Sequence, residues 1–342
     1  MKNNYYIITA IILTILLLGI WFIPKPVYEY KKIEGFIQGT TYHITYEYKK
    51  NKDLQPDIEK ILHDFDMSLS TYEPNSIISR INNNDATVEA DDLFTEVFNK
   101  SLEVNEKTNG AFDITVAPIV NAWGFGFKPG VEVDSNLIDS LMQFVGMEKI
   151  KLKDGKIFKT NPSVMLDVNA IAQGYSVDVV CRFLDNKKIN NYMVEIGGEL
   201  KSKGNNPKGE DWKIGVDRPI EGNMVAGASL QAILAIKGKA LATSGNYRKF
   251  HERNGIKYAH TMDPKTGYPV LSRLLSATVL ADECITADAY ATAFMVMGID
   301  KSMEFLEKNK FMEAYLVYSD ENGNFKVFAT PGMKYHILQE AR

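Results

Sequence analysis

An uncharged, apolar stretch near the amino terminus constrains this chain more than any other feature of its sequence. Residues Tyr5 to Ile23 contain no charged side chain, and Thr9 and Thr14 are the strongly polar interruptions. At about 1.5 Å of rise per residue, such a helix comes close to the roughly 30 Å hydrocarbon core of a bilayer. The stretch therefore predicts a single spanning helix that anchors the rest of the chain.

A cleaved signal peptide is the main alternative for this segment. Its apolar region is shorter, about 7–15 residues, and ends in a small-x-small cleavage site. Here the stretch ends in Gly19–Pro24, which contains two bulky aromatic residues, so we favour an uncleaved anchor. Lipidation would need a cysteine just after the stretch, whereas the two cysteines are Cys181 and Cys284. The lysines on either side of the stretch leave its topology open.

Composition limits the class of protein further. The chain has 342 residues, 45% of them hydrophobic, and a net charge of −4. These values exclude disorder, collagen and a disulfide scaffold, and they give no global cationic field for a nucleic-acid backbone. The sequence also lacks a P-loop, a His-Glu-x2-His zinc motif and a Gly-x-Ser-x-Gly elbow. Because the chain offers no global cationic field, we expect no nucleic-acid partner.

Hydrophobic periodicity predicts a mixture of strands and helices after the anchor. Period-two alternation predicts a strand at Gly39–Lys49, and helical spacing predicts helices at Pro56–Met67 and Asp92–Lys107. A short buried strand is predicted at Ser163–Val168, followed by a helix at Asn169–Leu184. Further elements are predicted as strands at Tyr192–Ile196, Lys213–Val216 and Ser229–Ile236, a helix at Ala287–Met297 that ends at Gly298, and a hairpin of Ala314–Tyr318 with Phe325–Ala329.

These elements predict one α+β domain behind the anchor. We see no internal repeat, and no proline- or serine-rich linker after about residue 35. The predicted organisation is an anchor at 1–24, a linker at 25–35 and a single domain at 36–342.

Two clusters of glycine, carboxylate and small residues in the first half of this domain are candidates for chemistry. In Gly110–Pro118, glycine lets a flat ligand approach the main chain, and Asp113 can accept hydrogen bonds from a heterocycle or a polyol. In Asp167–Tyr175, the small Ala170 would leave backbone oxygens and amides open to a metal or a phosphate. A turn and the start of an amphipathic helix are the structural alternatives.

Two further clusters lie in the second half. His260–Pro269 contains strong turn chemistry, and His260 beside it could serve as an acid, a base or a phosphate donor, or simply be structural. Asp288 and Thr292 are four residues apart on a predicted helix, so both could direct oxygens at one hard cation. Alternatively, Asp288 complements the helix dipole and Thr292 bonds back to a carbonyl.

Taken in order, these clusters resemble the ApbE family of flavin transferases, which move FMN from FAD onto a threonine of a target protein. The matching stretches are Gly110–Gly126, Asp167–Tyr175, Glu195–Glu199, Ala242–Gly245, His260–Pro269 and Ala287–Gly298. With early matches at Gln38–Thr40 and Ser70–Ser76, they are spread from roughly Gly39 to Gly298, a span that takes in nearly all of the chain after the anchor. The resemblance implies an α+β, T-fold-like catalytic domain that uses FAD and Mg²⁺.

The resemblance also implies roles for individual residues. The residues it implies at the FAD site are Tyr72, Ala111, Phe112, Asp113, Asp167, Gln173 and Met262. It implies that Mg²⁺ is held by the backbone oxygen of Ala170 with Asp288 and Thr292, in agreement with the spacing argument above. Our hypothesis is that Asp288 positions or deprotonates the acceptor hydroxyl and that His260 assists at the phosphate.

Two other functions fit the same residues. One is a Mg²⁺-dependent FAD pyrophosphatase that releases FMN and AMP, and the other is a non-catalytic, membrane-tethered flavin-binding protein. The resemblance further suggests an acceptor among the subunits of a membrane electron-transfer complex. It places the catalytic domain on the outer, periplasmic side of the cytoplasmic membrane.

Overall fold

The structure, a computed structural model, describes residues 27–128, 130–220, 223, 225, 227–246, 250–253 and 256–341. The predicted anchor at 1–24 lies outside these residues. Within the described ranges, no helix combines the length and the apolarity needed to cross a membrane.

The described part of the chain alternates between strands and helices. Its strands are β1 Tyr28–Ile37, β2 Thr40–Lys49, β3 Ile150–Lys153, β4 Lys156–Lys159, β5 Tyr192–Ile196, β6 Glu199–Lys203, β7 Trp212–Asp217, β8 Leu230–Ile236, β9 Ala240–Gly245, β10 Phe250–Arg253, β11 Ile256–Ala259, β12 Leu274–Ala281, β13 Glu313–Ser319, β14 Phe325–Ala329 and β15 Ile337–Glu340. Its α-helices are α1 Gln55–Leu69, α2 Ile77–Asn82, α3 Asp92–Lys107, α4 Ala117–Trp123, α5 Ser135–Met142, α6 Asn169–Asn186, α7 Cys284–Lys308 and α8 Pro331–Lys334.

An eight-stranded antiparallel sheet, in the order β1-β2-β5-β6-β9-β12-β13-β14, forms the centre of the fold. Successive side chains of a strand point to opposite faces. In β12, Val279 therefore packs into the core beneath the helices, while Leu280 packs against a smaller sheet of β7, β8 and β15. The result is a three-layer arrangement of helices, large sheet and small sheet, which confirms the α+β class.

The first strand overlaps the segment that the sequence assigned to a linker. Residues 28–35 belong to β1, which pairs with β2 along its whole length, from Tyr28 opposite Lys49 to Ile37 opposite Thr40. Alternation in β1 is weak because it is an edge strand, where Ile33 is the single buried residue. The linker prediction missed this strand for that reason.

The two helices that matter most for the site, α6 and α7, pack against each other on one face of the large sheet. Their predicted positions are confirmed. Gly298 interrupts α7 with a φ of 75°, a left-handed backbone that favours glycine, and so accounts for the predicted helix end.

The predicted buried strand at Ser163–Val168 is wrong, although the segment is buried as expected. It pairs with none of the strands in the described part of the chain, because its backbone groups bond elsewhere. The side chain of Asn82 donates to the Leu166 carbonyl at 2.8 Å and accepts from the Leu166 N–H at 2.7 Å, while the Asp167 N–H donates to Ile114 O at 2.8 Å. An asparagine side chain thus takes the place of a neighbouring strand.

Because the Asn82 side chain bonds to both backbone groups of Leu166, we expect Asn82→Ala to destabilise the fold by about 2–4 kcal/mol. Two buried backbone groups of Leu166 would lose their partners, at about 1–3 kcal/mol each. Urea unfolding measures the effect. Asn82→Asp keeps an acceptor for the Leu166 N–H but loses the donor, so its stability should lie between those of the parent protein and Asn82→Ala. Equal stability of all three proteins would contradict this account.

Candidate active site

The centre of the site is a close contact between α6 and α7 at Gly174. A Cβ atom added there would lie 2.6 Å from the Cβ of Asp288 and nearer still to the Cys284 carbonyl oxygen. Only glycine therefore lets the helices approach this closely. The approach allows the Gly174 N–H to donate to Asp288 Oδ2 at 2.9 Å.

Asp288 is a buried carboxylate with an unfavourable environment for its charge. It is 6% exposed, and burial raises its pKa to about 7, against which the hydrogen bond from Gly174 lowers it. Within the described residues, Asp288 makes no ion pair with a lysine, arginine or histidine. A buried carboxylate of this kind is stabilised by binding a cation.

Two more oxygen donors lie beside Asp288. Thr292, one turn further along α7, has its hydroxyl 3.1 Å from Ser244 Oγ on β9. Each carbonyl of an α-helix points toward the N–H four residues on, so the carbonyl of Ala170 points toward Gly174, whose N–H bonds to Asp288. A carboxylate, a hydroxyl and a carbonyl are the hard donors that Mg²⁺ prefers. These residues fit the predicted metal.

Gln173 lies on the other side of the same turn of α6. Its side-chain nitrogen fills the space that a Cβ on Gly197 would need, and Thr40 Cγ2 lies 3.0 Å from the same position. Gly197 has a φ of 67° and forms the turn between β5 and β6. The β1–β2 and β5–β6 turns and the start of α6 therefore meet around Gln173.

Asp167 and Tyr72 lie next to the start of α6. Asp167 accepts a hydrogen bond from the Asn169 N–H at 2.9 Å, and burial raises its pKa. Tyr72 is 65% exposed; partial burial raises its pKa, with a further contribution from the charge of Asp167, and a hydrogen bond with Asn169 opposes the shift. The structure thus brings two of the predicted FAD-site residues together.

The Ala111–Asp113 segment is held in place by its own contacts. Phe112 is 2% exposed and packs in the core, so it can meet a ligand only through its main chain. Asp113 accepts from the Thr115 N–H at 2.7 Å and from its hydroxyl at 2.5 Å, and burial raises its pKa. Asp113 therefore caps the short 3₁₀ helix at Ile114–Val116 in addition to any role toward FAD.

The loop that carries His260 and Met262 is joined to the site through β9. Thr261 donates from its hydroxyl to Asn246 Oδ1 at 2.8 Å, just beyond the end of β9. Met262 is 6% exposed and packs with Trp123 in a small apolar cluster, so its main chain is the part left for a ligand. The ring of His260 packs edge-on against Phe125 at 6.5 Å between centroids.

A cavity of about 510 Å³ extends from this region toward the second half of α7. Ala111, Asp263 and Lys265 line one side, and Met297 and Lys301 line the other. Ala111 is the one predicted FAD residue in its lining. Four lysines, Lys107, Lys265, Lys301 and Lys308, line the cavity together with two acidic residues, Asp263 and Glu304.

Sequence reasoning assigned no role to three residues that shape the site. Gly174 supplies the close helix contact, Ser244 bonds to Thr292, and Asn169 bonds to Tyr72. All three lie in stretches that carried the resemblance. A glycine inside a predicted helix was the available signal for Gly174, whereas the partner of Thr292 comes from a strand 48 residues away and has no local signal.

The fold is an antiparallel sheet covered by helices, and oxygen ligands suited to a hard cation lie buried between two of these helices. The protein is therefore an α+β domain with a candidate metal site. The sequence comparisons give its family. The pattern of the ApbE family matches residues 38–316, so this chain belongs to the ApbE family. This confirms the resemblance.

Individual relatives agree. The chain is 36% identical to the FAD:protein FMN transferase of Haemophilus influenzae, over 85% of this chain and 87% of that protein. It is also 36% identical to the FAD:protein FMN transferase of Vibrio cholerae, over 90% and 92% of the two chains. The solved structure of the flavin transferase ApbE from Vibrio cholerae has a TM-score of 0.81 and 34% identity, and covers 91% of this chain and 100% of its own.

Proposed function

We propose that this chain transfers FMN from FAD to a threonine hydroxyl of an acceptor protein and releases AMP. The named relatives are FAD:protein FMN transferases, and this chain matches them over most of its length. The buried carboxylate of Asp288, beside the hydroxyl of Thr292 and close to the start of α6, is the observation that carries the proposal at the level of the site.

The same residues would hold Mg²⁺, through Asp288, Thr292 and the backbone oxygen of Ala170. When bound, Mg²⁺ would neutralise negative charge on the pyrophosphate of FAD. The burial that raises the pKa of Asp288 supports this assignment, because a divalent cation compensates a charge that the protein leaves uncompensated.

The residues around the start of α6 would bind the substrate FAD. Tyr72 offers an exposed aromatic ring, and Gln173 offers a side-chain amide between the two glycine turns. The backbones of Ala111, Phe112 and Met262 and the carboxylates of Asp113 and Asp167 complete the set. Both carboxylates have pKa values raised by burial, which suits them to accept hydrogen bonds from neutral donors of the ligand.

The chemistry is a displacement at the phosphorus atom of the FMN half. The threonine oxygen forms a new P–O bond, the bond from phosphorus to the bridging oxygen breaks, and AMP leaves with that oxygen. The hydroxyl proton must go to a base, and Asp288 is the group we assign to position the hydroxyl or accept the proton. His260 assists at the phosphate.

The site operates beside a membrane in this proposal. The apolar Tyr5–Ile23 stretch anchors the chain in the cytoplasmic membrane, and the domain works on its outer, periplasmic side. The acceptor is then a subunit of a membrane electron-transfer complex, within reach of a tethered enzyme.

Thr292 provides a specific test of the metal site. We expect Thr292→Val to weaken Mn²⁺ binding, read by electron paramagnetic resonance as a probe for Mg²⁺, by at least about 10-fold, because valine keeps the shape and removes the hydroxyl donor. Thr292→Ser keeps the hydroxyl and should bind nearly as the parent protein does. Equal affinity of the valine and serine variants would contradict the assignment.

Transfer and hydrolysis are separated by following both products. The protein is incubated with FAD, Mg²⁺ and a membrane fraction from cells that lack it, and AMP is compared with protein-bound flavin. We expect one bound flavin for each AMP released. AMP and free FMN in equal amounts, with no bound flavin, would identify a pyrophosphatase, and tight FAD binding without AMP would identify a binding protein.

A further inference from the structure

Lysines are concentrated at the end of the large sheet where the described chain begins. β1 starts at Tyr28, and the carbonyl of Val27 accepts a hydrogen bond from the Lys50 N–H at 2.9 Å. The chain therefore enters the domain beside the loop that follows β2.

Hydrogen bonds join the other loops at this end into one surface. Asn191 O accepts from the Glu47 N–H at 2.9 Å, and Asn191 Oδ1 accepts from the Asn205 N–H at 2.8 Å. Tyr30 donates to Asn205 O at 2.8 Å, and Lys237 donates to Asn205 Oδ1 at 2.6 Å. We call this surface the entry face; its loops are residues 49–53, 187–191, 203–211 and 237–239.

The entry face is strongly positive although the chain as a whole is acidic. Its four loops contain nine lysines and three acidic residues, Asp53, Glu210 and Asp211, in a chain of net charge −4. Three of the lysines pair with aspartates from neighbouring segments. The lysines that make no ion pair within the described residues, all of them exposed, are Lys49, Lys50, Lys52, Lys187, Lys188 and Lys208.

Local helix electrostatics explain only part of this charge. Lys187 and Lys188 follow the carboxyl end of α6, where a cation complements the helix dipole. The lysines of the other loops follow strands, which have no such dipole. Val27 and Tyr28 are also 64% and 53% exposed at the point where the chain enters. Lys49 lies opposite Tyr28 and Lys50 bonds to Val27, and basic residues beside such an exposed pair suit a surface that meets anionic lipid headgroups.

We propose that the entry face lies on the anionic headgroups of the membrane, an inference that rests on the proposed anchor. The predicted anchor ends at residue 24, and Val27 follows within three residues, so the entry face is the part of the domain closest to the bilayer.

The proposal also gives the distance of the active site from the membrane surface. β1 runs ten residues away from the entry face, about 30 Å at roughly 3.4 Å per residue, and ends at the turn before Thr40. Thr40 lies beside the Gly197 turn and Gln173, and α6 likewise runs from Gln173 back to the entry face. The reaction centre therefore lies toward the end of the domain opposite the entry face, and acceptors must present their threonine at about that height.

Energy transfer to the lipid surface tests the proposal with the full chain. A donor dye is placed on Asn51→Cys, since Cys181 and Cys284 are buried, and acceptor dyes are placed on lipid headgroups. Vesicles contain phosphatidylcholine alone or mixed with phosphatidylglycerol. We expect more energy transfer in the anionic vesicles, falling to the neutral level in 1 M salt, where the Debye length is about 3 Å.

Charge reversal supplies the matched control. Lys50→Glu, Lys187→Glu and Lys188→Glu together should remove the gain in anionic vesicles. Lys151→Glu, Lys153→Glu and Lys156→Glu, on the exposed hairpin of β3 and β4, change the net charge equally and should leave the gain intact. Equal energy transfer in both lipids, or equal effects of the two triple variants, would overturn the proposal.

The same vesicles separate failure of the anchor from failure of the entry face. A protein that does not float with phosphatidylcholine vesicles has no anchor, and the entry face is then judged by flotation with the anionic vesicles alone. If reversal at the entry face lowers flavin transfer but leaves energy transfer unchanged, the lysines bind an acidic protein surface, and the lipid proposal is wrong.

Discussion

We expect Asp288→Asn to lower FMN transfer by more than about 100-fold and at the same time to stabilise the metal-free protein. Asparagine keeps the size of the side chain and an oxygen for the Gly174 N–H, but it removes the negative charge that would hold the metal and accept a proton. Loss of one preorganised charged group at a reacting phosphate costs on the order of 10²–10³ in rate. The loss is measured as the ratio of the protein flavinylation rates of the parent protein and Asp288→Asn with saturating Mg²⁺.

The stability gain follows from the raised pKa of Asp288. Its folded-state pKa of about 7 lies above the unfolded value of about 3.9, so the folded protein binds more protons between these values. The contribution of Asp288 to stability is therefore most favourable below about pH 4 and is lost as the pH rises through 7. The asparagine variant lacks this loss, and above pH 7 it should be more stable by about 1–4 kcal/mol.

Urea unfolding with a chelator, from pH 4 to pH 8, measures the difference between the two proteins. Asp300→Asn is the control, because Asp300 lies on the same helix but is exposed, with a distant ion pair to Arg273 at 3.7 Å. That control should leave both transfer and stability near the parent values. If the parent protein and Asp288→Asn have the same free energy of unfolding at pH 8, then burying the Asp288 carboxylate does not destabilise the fold.

The second large effect concerns Gly174. Glycine to alanine inside a helix normally stabilises by about 0.5–1 kcal/mol. Here we expect the opposite sign, a loss of about 1–3 kcal/mol, because the added Cβ would lie 2.6 Å from the Cβ of Asp288 and force α6 and α7 apart. Transfer should fall as well, since the Gly174 N–H would no longer hold Asp288 in place.

Urea unfolding and flavinylation rates of Gly174→Ala check both parts of this expectation. A stabilised variant with the parent rate would mean that the two helices have room to spare. A destabilised variant with the parent rate would mean that the contact supports the fold but does not position Asp288.

Local patterns predicted much of this fold because the elements that carry them have one buried face. α3 at Asp92–Lys107 and β5 at Tyr192–Ile196 were predicted with the bounds that the structure has, since each shows its period clearly. β1 was missed because an edge strand buries little. The segment at Ser163–Val168 was mistaken for a strand because burial alone does not reveal that Asn82 would satisfy its backbone.

The candidate site was predictable in part for a similar reason. Asp288 and Thr292 share a helix, so their spacing alone indicated a joint role. Their surroundings come from distant parts of the chain, Gly174 from α6 and Ser244 from β9, and no local pattern predicts which helix and strand will meet. The lysines of the cavity and those of the entry face come from separate segments, and their grouping likewise appears only once the sheet order is known.

The most direct measurement of the central claim compares flavin-modified membrane proteins in three kinds of cells, those with this protein, without it, and with its Asp288→Asn variant. Protein is denatured and freed of bound cofactors, and mass spectrometry then locates residues that have gained FMN less one water. We predict FMN on a threonine of at least one membrane protein, present with the parent chain and absent from the other two. The same modified threonine in all three, or none in any, would contradict the account.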